Sequence, residues 1–360
     1  DGFYAPQHVV QFFSANRRDG CNQRSRWTRP KLKFVAPCKT VDNIENIRKP
    51  THIRVGADRI TRCRTAAVLN VKNQIAFTTD SFTVSPIFFN GGNIGKLAIA
   101  GTVNDLAMMG AKPLYLSASF MIEEGFAFDE LETIVRSMAE ELTHSGAKIV
   151  CGDTKVVPKG AVDQIFINTS GIGDILKEGI SAGSINEGDV IIVSGDVGRH
   201  GAAILMEREG LGISGDLKSD CATLWPAVEA LIDANITISA MRDATRGGLS
   251  AVLNEWAQQS AVCLEIEEAN VPVDESVQGI CELFGFEAFD FANEGTCIVA
   301  VPSKDAQHAL EMLQKVDVTK KAAIIGKVSM KKEGKVILHS AYGSSRYLDL
   351  PKGELLPRIC

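Results

Sequence analysis

The sequence predicts an α/β protein of two domains, and three observations carry the expectation. Its 360 residues exceed what one ordinary hydrophobic core organises. With 45% hydrophobic and 23% charged residues it can bury a sizeable core, and 32 glycines beside only 6% aromatics point to tight loops and small-residue packing. From Ala66 onward, strand, loop and helix signals alternate through two successive α/β units. That composition suits an enzyme better than a protein-binding module.

Residues 1–64 read differently. They hold 14 Lys+Arg against 5 Asp+Glu, a net of +9, which leaves −15 for the remainder of a chain whose total is −6. Neither helix nor strand periodicity persists there, as in CNQRSRWTRPKLKFVAPCKT. A partner-binding arm, a divergent domain start and sequence outside the native reading frame compete as explanations, and we expect the third. The acidic total argues against nucleic acid as the main partner. No stretch approaches the roughly 20 apolar residues that span a bilayer, and the first thirty residues lack signal-peptide order. Nine scattered cysteines without a CxxC pair indicate neither a disulfide framework nor a zinc site, so the expected compartment is the cytoplasm. Cys151, Cys263, Cys281 and Cys297 sit in apolar runs and read as core residues.

The first domain is expected over residues 65–180. AAVLNVKNQIAFTTDSF reads as two short strands turned at Asn70–Asn73. A small-residue helix follows over Ile94–Met109, opened by Gly91–Gly92 and ended by Gly110 and Pro113. Asp129–Thr143 is amphipathic, with Asp129 as its N-cap and Gly146 as its stop. A strand over Ala147–Cys151, the loop GDTKVVPKG and a strand over Gln164–Ile172 complete the unit, with a linker at Ser181–Gly188.

The second domain is expected over residues 185–338. It opens with a strand over Asp189–Ser194, the loop GDVGRHG and a helix from Ala202. Gly247–Gly248 precede an amphipathic helix carrying Leu249, Val252, Leu253 and Trp256, and a later helix covers Lys304–Gln314. Residues 339–360, ending YLDLPKGELLPRIC, have two prolines and no periodicity and read as an extended, mobile tail.

Candidate chemistry is scattered along this frame. AFTTDSF, GTVNDLAMMGA and CGDTKV each set an acidic or amide oxygen at the edge of a small-residue loop or strand end. Magnesium takes hard oxygen ligands and shares them with nucleotide phosphates, so Asp80, Asp105 and Asp153, helped by Asn104, form a candidate set with Lys155 to neutralise phosphate. Each motif alone reads more simply as a turn or a helix surface; their occurrence together favours a site. GGNIGK lacks the GxxxxGK[ST] spacing of a phosphate loop, and its more secure role is close helix packing. GDVGRHG is either a phosphate turn or tight packing. His200 in it reads as a hydrogen-bonding residue. Glu294 in FANEGT is either a general base whose pKa burial raises, or a strand-end turn. Cys360 ends the chain, where a thiol on a flexible tail can visit two sites in turn, with Arg358 beside it.

These segments, in this order, resemble one family. FTTDSF, FFNGGNIGKLAIAGTVNDLAMMGA, CGDTKVVPKG, RDATRGGL, FANEG and LPRIC, from about Ala66 to Cys360, are similar to the HypE hydrogenase maturation proteins, the carbamoyl dehydratases. The terminal PRIC separates that family from the wider superfamily of aminoimidazole ribonucleotide synthetase, selenophosphate synthetase and thiamine-monophosphate kinase. The resemblance implies a two-domain synthetase-like fold, a homodimer paired through the first domain, and ATP with Mg2+ near that interface. It also implies the reaction: HypF loads a carbamoyl group on the terminal cysteine, and ATP-dependent dehydration turns it into a thiocyanate. The cyanide then goes to iron on the HypC–HypD scaffold. By match, Asp80, Asn104, Asp105, Gly152, Asp153 and Lys155 serve nucleotide, with Asp80, Asp105 and Asp153 on metal. Lys155, Glu294 and Cys360 are the catalytic set. The family opens with a glycine-rich segment and a strand whose Asp helps bind metal; here Thr65 stands at that place, and weak ATP binding is expected. A small-molecule kinase or synthetase on the same fold, or a non-catalytic maturation scaffold, are the alternatives.

Overall fold

A computed structural model describes residues 74–209, 216–351, 356 and 358–360. The basic leader, the strand expected before Asn70 and the departure at Thr65 lie outside the described residues.

The first unit runs β1 (Ile75–Phe82), the short hairpin β2 (Phe88–Phe89) and β3 (Gly92–Asn93), α1 (Ile94–Met108), β4 (Ala111–Glu123), α2 (Phe128–Ser145), β5 (Lys148–Val157) and β6 (Ile165–Ile175). Its sheet has the order β1-β6-β4-β5, antiparallel except for the parallel β4–β5 pair. Helix α1 is mostly apolar and buried over most of its surface, between this sheet, α2 and the second domain, with only Lys96 and Asp105 partly exposed. Asn93 caps it, accepting from the Gly95 and Lys96 amides. A Cβ on Gly95 would sit 2.4 Å from the Ile134 carbonyl oxygen, so only glycine lets α1 and α2 approach this closely.

The second unit runs β7 (Asp189–Val193), α3 (Arg199–Glu209), α4 (Trp225–Asp233), β8 (Ala240–Asp243), α5 (Gly248–Ser260), β9 (Cys263–Glu267), α6 (Glu275–Phe284), β10 (Cys297–Pro302), α7 (Ala306–Gln314), β11 (Ala323–Ser329), β12 (Lys335–His339) and β13 (Ser345–Tyr347). Its seven strands lie in the order β13-β12-β9-β11-β7-β10-β8, with only β9–β12 parallel. Strand alternation splits the core in two. Ile191, Val193, Ile298 and Ala300 pack with Leu249, Leu253 and Trp256 of α5. Ile192, Val299 and Val301 face the other way and join α4, α7 and the whole interior of the first domain. The two domains therefore share one continuous apolar core, and the cleft between them has rigid walls.

Several expectations need correction. The loop GDTKVVPKG is mostly strand, since β5 runs on to Val157 by pairing with β4. Helix α2 begins a residue before Asp129, and Ala127, with no capping side chain, stands at its N-cap; Gly146 ends it at φ 71° as expected. Helix α3 starts at Arg199, ahead of Ala202. Cys151 is exposed, while Cys263, Cys281 and Cys297 are buried. The tail is not structureless: Ser345–Tyr347 pair with β12, and Ile359 and Cys360 are buried between the domains.

Candidate functional site

Four of the residues singled out in the sequence meet in the cleft. Asp80 lies on β1 in a cross-strand row with Thr169 and Ala118, and Thr169 hydrogen-bonds the Ala98 carbonyl of α1. Asp80 therefore faces that helix. Two residues back on the same face, the Thr78 hydroxyl donates to the Asp105 carboxylate at 2.7 Å. Glu294 reaches the same space from the loop before β10, and Cys360 from the tail.

The electrostatics show how closely these groups crowd. Burial raises the Asp80 carboxyl, and Asp105 adds to it; the Ser81 amide and the Arg246 guanidinium oppose them. Asp105 is raised by burial against the Thr78 hydroxyl and Arg242. Glu294 is buried with its Oε1 unpartnered among the described residues. Burial drives its pKa well above the usual carboxylate range, with Asp243, Asp220 and Asp80 adding to the effect and Arg246 countering it. Burial and the nearby Glu294 push the Cys360 thiol up to about 11, and Arg246, whose Nε lies 3.2 Å from Sγ, works against them. The docked sulfur is thus a neutral thiol.

The sequence reading missed Asp243 and Arg246, although both stand in RDATRGGL. Asp243 ends β8 and lies opposite Cys297 in the ladder. Burial, followed by Asp105 and Asp80, pushes its carboxyl to about 7. Asp220 was missed as well: its two carboxylate oxygens accept from the Glu294 and Gly295 amides at 3.1 Å, which fixes the FANEG loop. An acid and a base flanking a two-residue turn at a strand end were the available signal.

Other expected residues lie elsewhere. Asn104 is turned into the domain interface, where its Oδ1 accepts from the Leu224 amide at 2.7 Å. Its Nδ2 donates to the Ala222 and Glu294 carbonyls at 3.1 and 3.4 Å. The amide is spent on the protein itself. Gly152 faces α1, and a Cβ there would meet the Ala118 carbonyl at 2.3 Å, which explains the glycine by strand packing. Asp153 shares the opposite row with Ser119, Asn168 and Ser81. It pairs with Lys155 at 3.0 Å, both exposed, on the sheet face away from Asp80. The loop GDVGRHG is packing rather than a phosphate turn: Val197 N–H donates to the Pro272 carbonyl, Gly198 N–H to Asn293 Oδ1, and Gly201 N–H to the Ala292 carbonyl.

Among the described residues, no three His, Cys, Asp or Glu side chains converge tightly enough to hold a metal by themselves. Asp80 and Asp105 nonetheless form a hard-oxygen pair that a cation shared with phosphate oxygens would relieve, so the donor set fits magnesium in that shared form.

Comparison with known proteins identifies the fold and the family. Residues 64–175 match the N-terminal domain of AIR synthase related proteins, and residues 186–339 match the C-terminal domain. The carbamoyl dehydratase HypE of Escherichia coli (strain K12) is 49% identical over 289 residues, covering 80% of this chain and 85% of that one. A crystal structure of HypE in complex with ATP superposes with a TM-score of 0.79 at 44% identity, over 82% of this chain and 90% of that one. The HypE–HypF complex gives 0.74 at 48% identity, over 77% and 90%. With the terminal thiol docked against the acidic cluster in its interdomain cleft, this chain belongs to the HypE family of carbamoyl dehydratases.

Proposed function

We propose that this chain dehydrates a carbamoyl group carried on Cys360 to a thiocyanate, consuming ATP. One observation carries the reading: the sulfur of the last residue lies inside the cleft, 3.2 Å from Arg246 Nε, amid Glu294 and Asp80. The relatives solved with ATP and with HypF support ATP as co-substrate and HypF as a partner.

The carboxamide oxygen is a poor leaving group. In the first step it attacks the γ-phosphorus of ATP, ADP leaves, and one nitrogen proton is lost, giving an O-phosphorylated S-linked imidate. In the second step the C–O bond breaks, phosphate departs and the remaining nitrogen proton is lost, leaving S–C≡N. Glu294 is the base for the nitrogen protons, and burial, by raising its pKa, makes its carboxylate a stronger proton acceptor than an exposed one. Arg246 steadies the sulfur, and its positive charge favours the negative charge that gathers on the phosphate oxygen as the C–O bond breaks. When bound, magnesium would be held by Asp80 and Asp105, and it supplies charge neutralisation on the phosphates.

Asp153 and Lys155 belong to the same proposal through a second copy. The first sheet leaves a face open, with Phe77 66% exposed and Ile75, Met121 and Val150 also exposed. Such a face suits burial against its twin in a homodimer. Asp153 and Lys155 sit on that face, where they would meet nucleotide at the interface. Delivery of cyanide to iron on HypC–HypD, in the cytoplasm, completes the reading. Among the described residues no helix is long and apolar enough to cross a membrane.

The test is the mass of the Cys360 peptide after incubation with HypF, its carbamoyl donor and ATP. The carbamoyl adduct should form first and then lose one water. Glu294→Gln should stall at the carbamoyl stage, with the dehydration rate down by about 10²–10⁴. No adduct on Cys360 ends the proposal.

A further inference from the structure

We infer that Thr83, Ser85, His200 and Arg208 form a peptide site that reads the main chain of the last three residues and so positions the Cys360 sulfur. The ligand class is a carboxy-terminal peptide, here supplied by the chain's own tail, with Arg358 in a left-handed bend at φ 53°.

Each of the three terminal carbonyls has a dedicated donor. One oxygen of the Cys360 α-carboxylate accepts from the Thr83 amide at 3.0 Å and from its hydroxyl at 3.3 Å. The Ile359 carbonyl accepts from His200 Nε2 at 2.8 Å. The Arg358 carbonyl accepts from Arg208 Nη2 at 2.6 Å and from the Ser85 amide at 3.2 Å. Thr83 pairs with residue 360 and Ser85 with residue 358, the alternate spacing of an added antiparallel strand. The first domain supplies one edge of the site and the second domain the other. The tail end therefore fits only when both are in place.

His200 is the discriminating member. It is fully buried, and a carbonyl can only accept, so Nε2 must carry the proton. Nδ1 then accepts from the Ser219 hydroxyl at 2.8 Å, while Ser219 Oγ accepts from the Cys221 amide at 3.0 Å. The Phe89 ring stands edge-on to the imidazole at 5.3 Å between centroids. Ser219 is itself held by the β2–β3 turn, its amide donating to the Asn90 carbonyl at 2.8 Å. Gly91 makes that contact possible, because with φ 98° a Cβ would lie 2.8 Å from the Ser219 backbone. A chain of fixed contacts thus runs from GGNIGK through Ser219 and His200 to the penultimate carbonyl. His200 touches no reacting atom and acts as a positioning residue. Its hydrogen bond goes to the tail main chain, so it aligns Cys360 whatever the sulfur carries.

The inference takes its purpose from the dehydratase reading, but its test needs neither ATP nor a carbamoyl donor, so either can fail without the other. Full-length protein is treated with iodoacetamide, and alkylation at each cysteine is followed by peptide mass mapping. Buried Cys297 serves as the internal control. Gln at position 200 places an N–H near where Nε2 lies, whereas Asn reaches only to Nδ1. His200→Asn should alkylate Cys360 about tenfold faster than wild type, the worth of one buried hydrogen bond, with Cys297 unchanged. His200→Gln should retain most of the protection. Equal Cys360 rates in the Asn and Gln variants would overturn the inference, as would Cys297 accelerating in step with Cys360.

Discussion

Asn104→Ala separates two roles for a residue that the sequence placed in a nucleotide site and the structure places in the domain interface. The side chain is 1% exposed and serves three backbone groups of the second domain. The Leu224 amide and the Ala222 carbonyl are held at 2.7 and 3.1 Å, and the Glu294 carbonyl more loosely at 3.4 Å. Truncation strands the first two in a buried interface. At about 1–3 kcal/mol for each buried group left unpaired, the loss is about 3 kcal/mol. With a urea m-value of about 3 kcal/mol/M for a chain of this size, the midpoint falls by about 1 M. Trp225, buried and adjacent to Leu224, reports the transition by fluorescence. Asn104→Asp should be at least as damaging, because it sets an oxygen against the Ala222 and Glu294 carbonyls. A metal or phosphate role predicts the reverse: Asp would be the better ligand, and Ala would weaken ATP while leaving the urea midpoint alone. An unchanged midpoint in Asn104→Ala with ATP affinity reduced tenfold or so would refute the structural role.

Two further outcomes follow from the same geometry. Gly91→Ala forces a left-handed φ and a 2.8 Å contact with Ser219, so it should cost about 1–3 kcal/mol in urea unfolding and also expose Cys360 to alkylation; a loss of stability with Cys360 still protected would disconnect the turn from the tail. Glu265 tests pH dependence: the Lys331 ammonium, hydrogen-bonded at 2.7 Å, holds its pKa down to about 2 against an ordinary 4.5. A depressed carboxyl contributes above its ordinary pKa and loses the contribution as pH falls through the depressed one. The shift alone would be worth about 3 kcal/mol, but Lys331 is 65% exposed and screening leaves about 1 kcal/mol. Glu265→Gln should trail wild type by that amount near pH 6, with the gap more than halved near pH 3. A gap that is the same at both pH values would show that packing, not charge, is what Glu265 supplies.

Much of the fold was legible because its signals are local. Gly146 at a left-handed helix end, the small-residue run of α1 and the alternation in β7 and β10 are all set by neighbours in sequence. The misread elements answer to distant ones. Gly152 and Asp153 look like a turn, yet β4 holds them extended, and the glycine is there because the Ala118 carbonyl passes within van der Waals reach. Tertiary pairing overrode turn propensity.

The site divides the same way. Asp80, Asp105, Glu294 and Cys360 were singled out because their motifs carry chemistry on their face, and the fold brings the four together. Asn104 was misassigned because an amide beside an aspartate looks like a ligand until its three backbone partners, more than a hundred residues away, are seen. Asp243 became visible only as an effect on others, since no spacing in RDATRGGL shows that β8 delivers its last carboxylate beside those of β1 and α1. Dependence on distant partners also explains why the tail reads as extended and mobile. Its last residues form no element of their own; their hydrogen-bond partners are Thr83 and Ser85 in one domain and His200 and Arg208 in the other. A segment whose order is borrowed from a cleft leaves no periodicity in its own sequence.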